Sequence, residues 1–337
     1  MDETRSSRLG RRTALLGAVG AMGAAAGIGA AARNAFGADW PARPVSWIVP
    51  FPPGGGSDMF SRPIAAHVGD RLHQTMVIEN KPGAGGTIGT AIAARAAADG
   101  YSLLVGDTGL VYAPTVYPKA GFDFVRDFAP IAAFGRVPYV LVVNPARLPA
   151  VDLAGFIAMA KAKPDSIDIG STGLGTVTHL AIGLFEDRAG IELHHVPYRG
   201  GAPMLQDLLA GQIAASFALA SQVAGNVAAG KLRALAIANR RRDALLPGIP
   251  TMHEAGLIDF RMTTWFGLFA PRGTPDGILD RLHGAVQEAL ASDDVRHLWA
   301  EQGAKVELES RAEFADFIRR EGERWNRIAK AANVQME

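Results

Sequence analysis

The 337-residue sequence contains no cysteine. Disulfide staples and thiolate metal sites are therefore excluded, and a fold of this size must rest on its apolar core. Excess charge is missing as well, since 34 basic residues face 33 acidic ones. Residues 1–38 carry five of the basic residues and two of the acidic ones, which leaves 29 against 31 in the remainder. That balance lacks the basic face that nucleic acid demands, and the one basic run, Arg240-Arg241-Arg242, reads as a solvated loop. Histidines are few. His194 and His195 are neighbours on a predicted strand and face opposite sides, so they do not chelate one metal. His179 reads as a packed or capping residue on a helix. No pair of carboxylates has a spacing that suggests acid–base work. Beyond residue 38 no segment is long and apolar enough to suggest a membrane span. Neither a metal nor a cofactor is expected.

What is present begins with an address. Arg11 and Arg12 precede Thr13-Ala14-Leu15-Leu16 and an uncharged stretch rich in alanine and glycine that runs to Ala32. A basic segment, an apolar segment and small residues around Ala35-Phe36-Gly37-Ala38 are the parts of an export signal. The paired arginines and the weak apolar segment favour the twin-arginine route. The stretch has the length of a spanning helix without the hydrophobicity, which argues against a membrane anchor. Cleavage is expected before Ala38 or after Ala32, and residues 1–38 are set apart from the fold.

About 300 residues remain, enough for one large or two medium domains. Short β-rich runs at 45–51, 76–79, 103–106, 139–143, 167–170, 194–197, 214–217, 234–238 and 266–270 alternate with helical patterns at 58–72, 87–98, 152–163, 176–188 and 203–210. This alternation predicts an α/β fold with mostly parallel, buried strands. Near the end, Phe314, Phe317, Ile318, Trp325 and Ile328 recur at helical spacing and predict a long helix packed on the core. Pro138 and Pro145 bracket one strand, and Thr264–Phe269 leads into Pro271. If the chain crosses at these two places, residues 39–139 plus 264–337 form one lobe and 140–263 the other.

Four glycine-rich turns fall at predicted strand ends. They are Phe51-Pro52-Pro53-Gly54-Gly55-Gly56-Ser57-Asp58, Pro82-Gly83-Ala84-Gly85-Gly86-Thr87, Gly170-Ser171-Thr172-Gly173-Leu174-Gly175-Thr176 and Tyr198-Arg199-Gly200-Gly201-Ala202. Glycine lets the backbone turn its N–H groups toward a bound group. A following helix start adds unpaired donors and partial positive charge. Turns of this kind at the carboxyl ends of strands form anion sites. Any one of them is also explained as a tight turn with a helix cap. Ser57, Thr87, Ser171, Thr172 and Thr176 add hydroxyls. Arg199 is suited to a second, distal carboxylate, and equally to a surface or interlobe salt bridge.

The enzyme readings are weaker. Gly83–Gly89 resembles a dinucleotide fingerprint, with Asp107 near the distance of a ribose-binding acid, but its spacing is not G-x-G-x-x-G. Gly54–Ser57 lacks the lysine of a phosphate loop, and Gly170-Ser171-Thr172-Gly173 is not a G-x-S-x-G nucleophile elbow.

Several segments together resemble the Bug family, the substrate-binding proteins of tripartite tricarboxylate transporters. They include Trp40-Pro41-Ala42-Arg43-Pro44, the turn at 51–58, Glu79–Gly86, Ser171–Thr176 with His179-Leu180, and His195–Ala202. Gln206–Gln212, Gly230–Ala236 and Trp265–Pro271 complete the likeness. The resemblance spans essentially all of the chain after the signal. It implies a non-enzymatic periplasmic protein of the periplasmic binding protein-like fold, with two α/β lobes and a ligand cleft between them; the sequence does not encode an oligomeric state, and a monomer is the simpler expectation. It implies a small organic carboxylate as ligand and membrane transporter subunits as partners, with a sensor for a signalling receptor as the alternative and a dinucleotide-dependent oxidoreductase behind it. The expected contacts are Phe51, Gly54, Gly55, Gly56, Ser57, Asp58, Gly85, Gly86, Thr87 and Thr108 from the first lobe. From the second come Ser171, Thr172, Gly173, Thr176, Arg199 and Gly200. One departure bears on specificity. Where relatives place an aspartate after the strand at 214–217, this sequence has Ala218-Leu219-Ala220, which predicts an anionic ligand with a neutral or apolar body.

Overall fold

The first strand, β1 (Val45–Val49), is buried at four of its five positions, the pattern of a strand covered on both faces. It opens a series of strand–helix units in the computed structural model, which describes residues 40–258, 260–306 and 308–332. The expected export signal lies outside the described residues. Residues 43–337 form one compact unit. β1 leads into α1 (Gly56–Leu72), β2 (Met76–Asn80), a turn of 3-10 helix at Ala84–Gly86, α2 (Thr87–Ala94), β3 (Ser102–Asp107), α3 (Thr108–Val116) and the short α4 (Phe124–Asp127). The 16-residue β4 (Phe128–Val143) introduces a second series. This runs α5 (Leu153–Ala162), β5 (Asp168–Ser171), α6 (Val177–Ala189), β6 (His194–Pro197), α7 (Gly201–Ala210), β7 (Ala215–Leu219), α8 (Ala220–Ala228) and β8 (Arg233–Ile237). The chain returns through β9 (Thr263–Pro271) and ends with α9 (Asp276–Ala291), α10 (Asp293–Glu301) and α11 (Arg311–Ala331).

The described strands form one nine-stranded sheet of order β2-β1-β3-β9-β4-β7-β5-β6, with β8 also paired to β4. The expectation of mostly parallel strands is corrected here. β1 is parallel to β2 and β3, and β5 to β6 and β7. In contrast, β9 is antiparallel to β3 and β4, and β4 is antiparallel to β7 and β8. Each parallel set is closed by a strand that carries the chain between the two sets, and such a strand runs against its neighbours. β4 also extends well beyond the predicted 139–143. Its ladder with β9 shifts register after Pro130, where a residue without an N–H is tolerated. That ladder ends at the pair Pro138–Thr263, and from Tyr139 onward β4 pairs with β7 and β8 instead.

The predicted terminal stripe is core. Phe314, Ile318, Trp325 and Ala329 are buried, and Phe317 and Ile328 pack partly exposed beside them. Trp265 meets Phe314 edge-on at 6.2 Å between ring centres. Each fully buried aromatic or leucine of this kind contributes about 1.5–3 kcal/mol of transfer free energy. Ser310 starts α11 with a reciprocal capping box to Glu313, which satisfies two of the helix's otherwise unpaired N–H groups. A smaller apolar cluster gathers Val140, Val142, Met204, Leu208 and Ala218.

Candidate functional site

The turns after β1, β2 and β3 leave one edge of the first parallel set, and those after β5, β6 and β7 leave the corresponding edge of the second. In the first turn, Asp58 directs its buried carboxylate back into the protein. Its two oxygens accept four bonds: from the Gly54 N–H at 3.0 Å, from Arg62 Nε and Nη2 at 2.8 Å each, and from Asn80 Nδ2 at 3.0 Å. Burial opposes ionisation of Asp58, but the Arg62 guanidinium, the Gly54 N–H and the Asn80 amide outweigh it and hold the carboxyl below its ordinary value. Asn80 also donates to the Phe51 carbonyl at 3.0 Å, so Asp58 ties the turn to both α1 and β2. Among the described residues, the N–H groups of Gly55, Gly56 and Ser57 have no acceptor. Those three donors sit at the start of a 17-residue helix, where the backbone presents partial positive charge.

The second turn packs against the first. Gly86 has φ +93°, and a Cβ there would lie 2.9 Å from the Phe51 ring, so only glycine fits. The buried Thr87 hydroxyl donates to the Ala84 carbonyl at 2.9 Å. Thr108, also buried, accepts the Trp265 N–H at 3.1 Å and so holds α3 to β9. On the other edge, Ser171 Oγ lies 2.7 Å from His195 Nε2 and also bonds Gly173. The Thr172, Thr176 and Thr178 hydroxyls lie within 3.1 Å of one another, and Thr176 donates to the Gly173 carbonyl at 2.7 Å. The fourth turn is laced to the third by the Tyr198 N–H to Ser171 O at 3.0 Å and the Gly200 N–H to Thr172 O at 3.1 Å. At the start of α7, the Gly201 and Ala202 N–H groups have no acceptor among the described residues. Arg199 is exposed and forms no ion pair or hydrogen bond with another described residue.

The two edges meet through side chains that sequence reasoning missed. Tyr117 packs its ring on Gly85 and donates to the Leu174 carbonyl at 3.4 Å. Tyr112 donates to the Gly175 carbonyl at 3.2 Å. All four turns therefore form a continuous set. Asp107, considered in the sequence only as a ribose partner, instead caps α3 by accepting the Gly109 N–H at 2.9 Å. The residue is half-buried, and burial pushes its carboxyl up to about 7 against the Gly109 and Leu110 N–H bonds. Tyr139 behaves likewise: burial raises it, with Asp107 adding to the shift and a hydrogen bond to Thr264 opposing it. Tyr112 is raised by burial, then by Asp107, Tyr139 and Tyr117.

His179 caps the third turn by accepting the Gly175 N–H at Nδ1, 3.0 Å away, and stacks on His195 at 4.2 Å between ring centres. Burial lowers His179, and burial followed by the neighbouring His179 and His194 lowers His195 to about 4. A separate 530 Å³ cavity lies behind these histidines and is also lined by Arg324 and Arg327. None of the sixteen expected contacts lines it. Among the described residues no group of three or more His, Asp or Glu side chains is placed to hold a metal ion. Ala218, where the sequence lacks an expected acid, is buried among Val140, Val142 and Met204 and does not open onto the turns.

Residues 60–334 match the family described as the tripartite tricarboxylate transporter family receptor. The chain is 37% identical over 328 residues to protein BugT of Bordetella pertussis (strain Tohama I), covering 96% of this chain and 99% of that one. Among solved structures, R. palustris Rpa4515 with adipate superimposes with a TM-score of 0.81 at 35% identity, over 88% of this chain and all of that one. MatC from Rhodopseudomonas palustris with bound malate gives 0.78 at 34% identity, over 86% and 100%.

Proposed function

Because the chain belongs to the tripartite tricarboxylate transporter receptor family, we propose that it captures a small organic carboxylate between two lobes in the periplasm and hands it to a tripartite tricarboxylate-type membrane transporter. Its fold is that of the periplasmic binding proteins, and the family is one of solute-binding proteins rather than enzymes. No helix of the described residues is long and apolar enough to cross a membrane. The observation that carries the ligand class is the set of unpartnered N–H groups at Gly55, Gly56 and Ser57, with a second such set at Gly201 and Ala202 on turns joined to the first through the Tyr112 and Tyr117 contacts. Each charge-assisted bond nets about 1.5–3 kcal/mol, so three or four reach the roughly 8 kcal/mol of a micromolar complex. The carboxylates in the related Rpa4515 and MatC structures support the same class.

The two lobes are residues 39–139 with 264–337, and 140–263. The change of partner along β4 at Pro138–Tyr139 and the start of β9 at Thr263 support that division. Of the expected contacts, Gly55, Gly56, Ser57, Gly85 and Arg199 keep groups free for a ligand. Gly54, Asp58, Thr87, Thr108, Ser171, Thr172, Gly173, Thr176 and Gly200 hold the turns in shape, and Phe51 and Gly86 set their packing. A thermal-shift titration against adipate, malate and simple aromatic carboxylates tests the reading. A ligand at a hundred times its Kd adds about 2.7 kcal/mol, which raises the midpoint by several degrees at about 2–4 °C per kcal/mol. A flat response across mono-, di- and aromatic carboxylates refutes it.

A further inference from the structure

We propose that Asp107 selects the ligand through a shared proton: its carboxyl donates a hydrogen bond to a ligand carboxylate, so that capture of the anion takes up one proton from solution. The inference rests on the carboxylate reading above and assigns a specificity role within that site. Asp107 ends β3 at the edge where the turns after β1 and β2 also emerge, and it pairs in register with Phe266 of β9. It has no cationic partner among the described residues. The side chains that face it are Tyr112 of α3 and Tyr139 of β4. Their hydroxyls are committed to the Gly175 carbonyl and to Thr264.

The other charged groups near the turns do not neutralise it. On α1, Arg62 is paired with Asp58, and Lys81 beyond β2 is paired with Glu79. His179 and His195 are both lowered and therefore neutral at pH 7. Arg199 stands exposed on the turn after β6. An ionised Asp107 would thus confront an anionic ligand without compensation. At a separation of about 6 Å and an effective dielectric of about 20, that repulsion costs on the order of a hundredfold in affinity. Transfer of a proton to Asp107 replaces the repulsion with a hydrogen bond. Desolvation moves the carboxyl up to about 7, so the proton is available near neutrality. An ammonium group would satisfy Asp107 too, but the free N–H groups of Gly55, Gly56, Ser57 and Gly85 favour an anion.

Calorimetric titration of the protein with adipate and with malate at pH 6.5 and 8.5, in two buffers of different ionisation enthalpy, tests this. With Asp107 at about 7, Kd is expected to rise roughly 25-fold between the two pH values. Proton uptake is expected to approach one per ligand at the higher pH. Asp107→Asn keeps an acceptor for the α3 cap and is neutral. It is expected to bind at pH 8.5 as tightly as the unaltered protein does at pH 6.5, with no pH dependence. A pH-independent Kd without proton uptake overturns the proposal and leaves the carboxylate reading standing. PH dependence retained in Asp107→Asn, or glutamate binding more tightly as pH rises, overturns it as well. Failure of both probes at every pH overturns the two readings together.

Discussion

Replacing Gly175 with alanine places a methyl group where the two edges of the site touch. Gly175 has φ +71°, and a Cβ there would lie 2.6 Å from Val116 Cγ1 on α3. Two costs add. Left-handed backbone in a non-glycine residue costs about 1–2 kcal/mol, and forcing a methyl into a packed site costs about 1–3 kcal/mol more. Gly230 separates them, because it has φ +69° with nothing within 4 Å of its would-be Cβ. Gly230→Ala should therefore carry the backbone cost alone, about 1 kcal/mol in a urea titration, and leave adipate affinity unchanged. Gly175→Ala should cost about 2–5 kcal/mol in the same titration if the lobes stay closed without ligand. If the lobes open, the clash with Val116 is relieved in the open form and charged only to the closed one. The steric part then appears in binding as a loss of about 5- to 150-fold. The Tyr112–Gly175 and Tyr117–Leu174 bonds would break with it, and Tyr117→Phe, which removes one of them without a clash, should weaken binding by less than tenfold. Measured together by calorimetry and urea titration, equal losses in Gly175→Ala and Gly230→Ala refute the claim that this contact reports closure.

Other outcomes follow from the same geometry. Asp58→Ala removes four hydrogen bonds but leaves Gly54 open to water and Arg62 half exposed, so the expected loss is about 2–3 kcal/mol in urea. Because the folded carboxyl lies below its unfolded value near 3.8, its contribution is present above that pH and fades as pH falls through the folded value. The stacked His179–His195 pair works in the same direction at higher pH. Both rings are lowered in the folded state, so their contribution is whole above about 6.5 and declines as pH drops toward about 4. A thermal midpoint that is flat from pH 7 to 4.5 after Asp58→Asn would contradict this. Arg199→Ala should weaken adipate by about 10- to 100-fold and a monocarboxylate by less than about twofold. Equal affinities before and after place Arg199 outside the site.

Much of this was legible because it is local. A glycine with positive φ beside a strand end leaves its mark in the sequence, and so does an apolar stripe such as Phe314, Ile318 and Trp325 on α11. The expected strands lie within a few residues of those found, apart from β4 and β9. β4 is longer because it is a single strand that serves two sets of partners, and β9 follows it along the first of them, a property of topology that no local pattern encodes. The same limit hid Tyr112, Tyr117 and Asp107. Nothing in Asp107-Thr108-Gly109 announces that a tyrosine one turn later will reach the carbonyl of Gly175, 63 positions away. An acid after the third strand was visible; its surroundings were not. The hydroxyls have a structural role that the sequence did not show. Thr87, Thr108, Ser171, Thr172 and Thr176 sit at the predicted positions, but each satisfies a backbone or side-chain partner within its own scaffold.

That use of the hydroxyls separates class from identity in the site. Turns whose hydroxyls are spent on their own shape present mainly backbone N–H groups, and a backbone N–H reads an anion without reading the body attached to it. On the proposed reading, recognition of a carboxylate is as durable as the turns, which Asp58, His179 and the threonine triangle hold in shape. On the same reading, discrimination falls to side chains near the turns that are not fully buried: Asp107, Tyr139, Phe51 and Arg199. The loss of an acid at Ala218 does not by itself make the site apolar, because Ala218 is packed in the core and Asp107 stands among the turns. Exchanges at Asp107, Phe51 and Arg199 should therefore change which carboxylate is preferred while binding of the class survives. Exchanges at Asp58 or Gly86 should weaken every carboxylate alike.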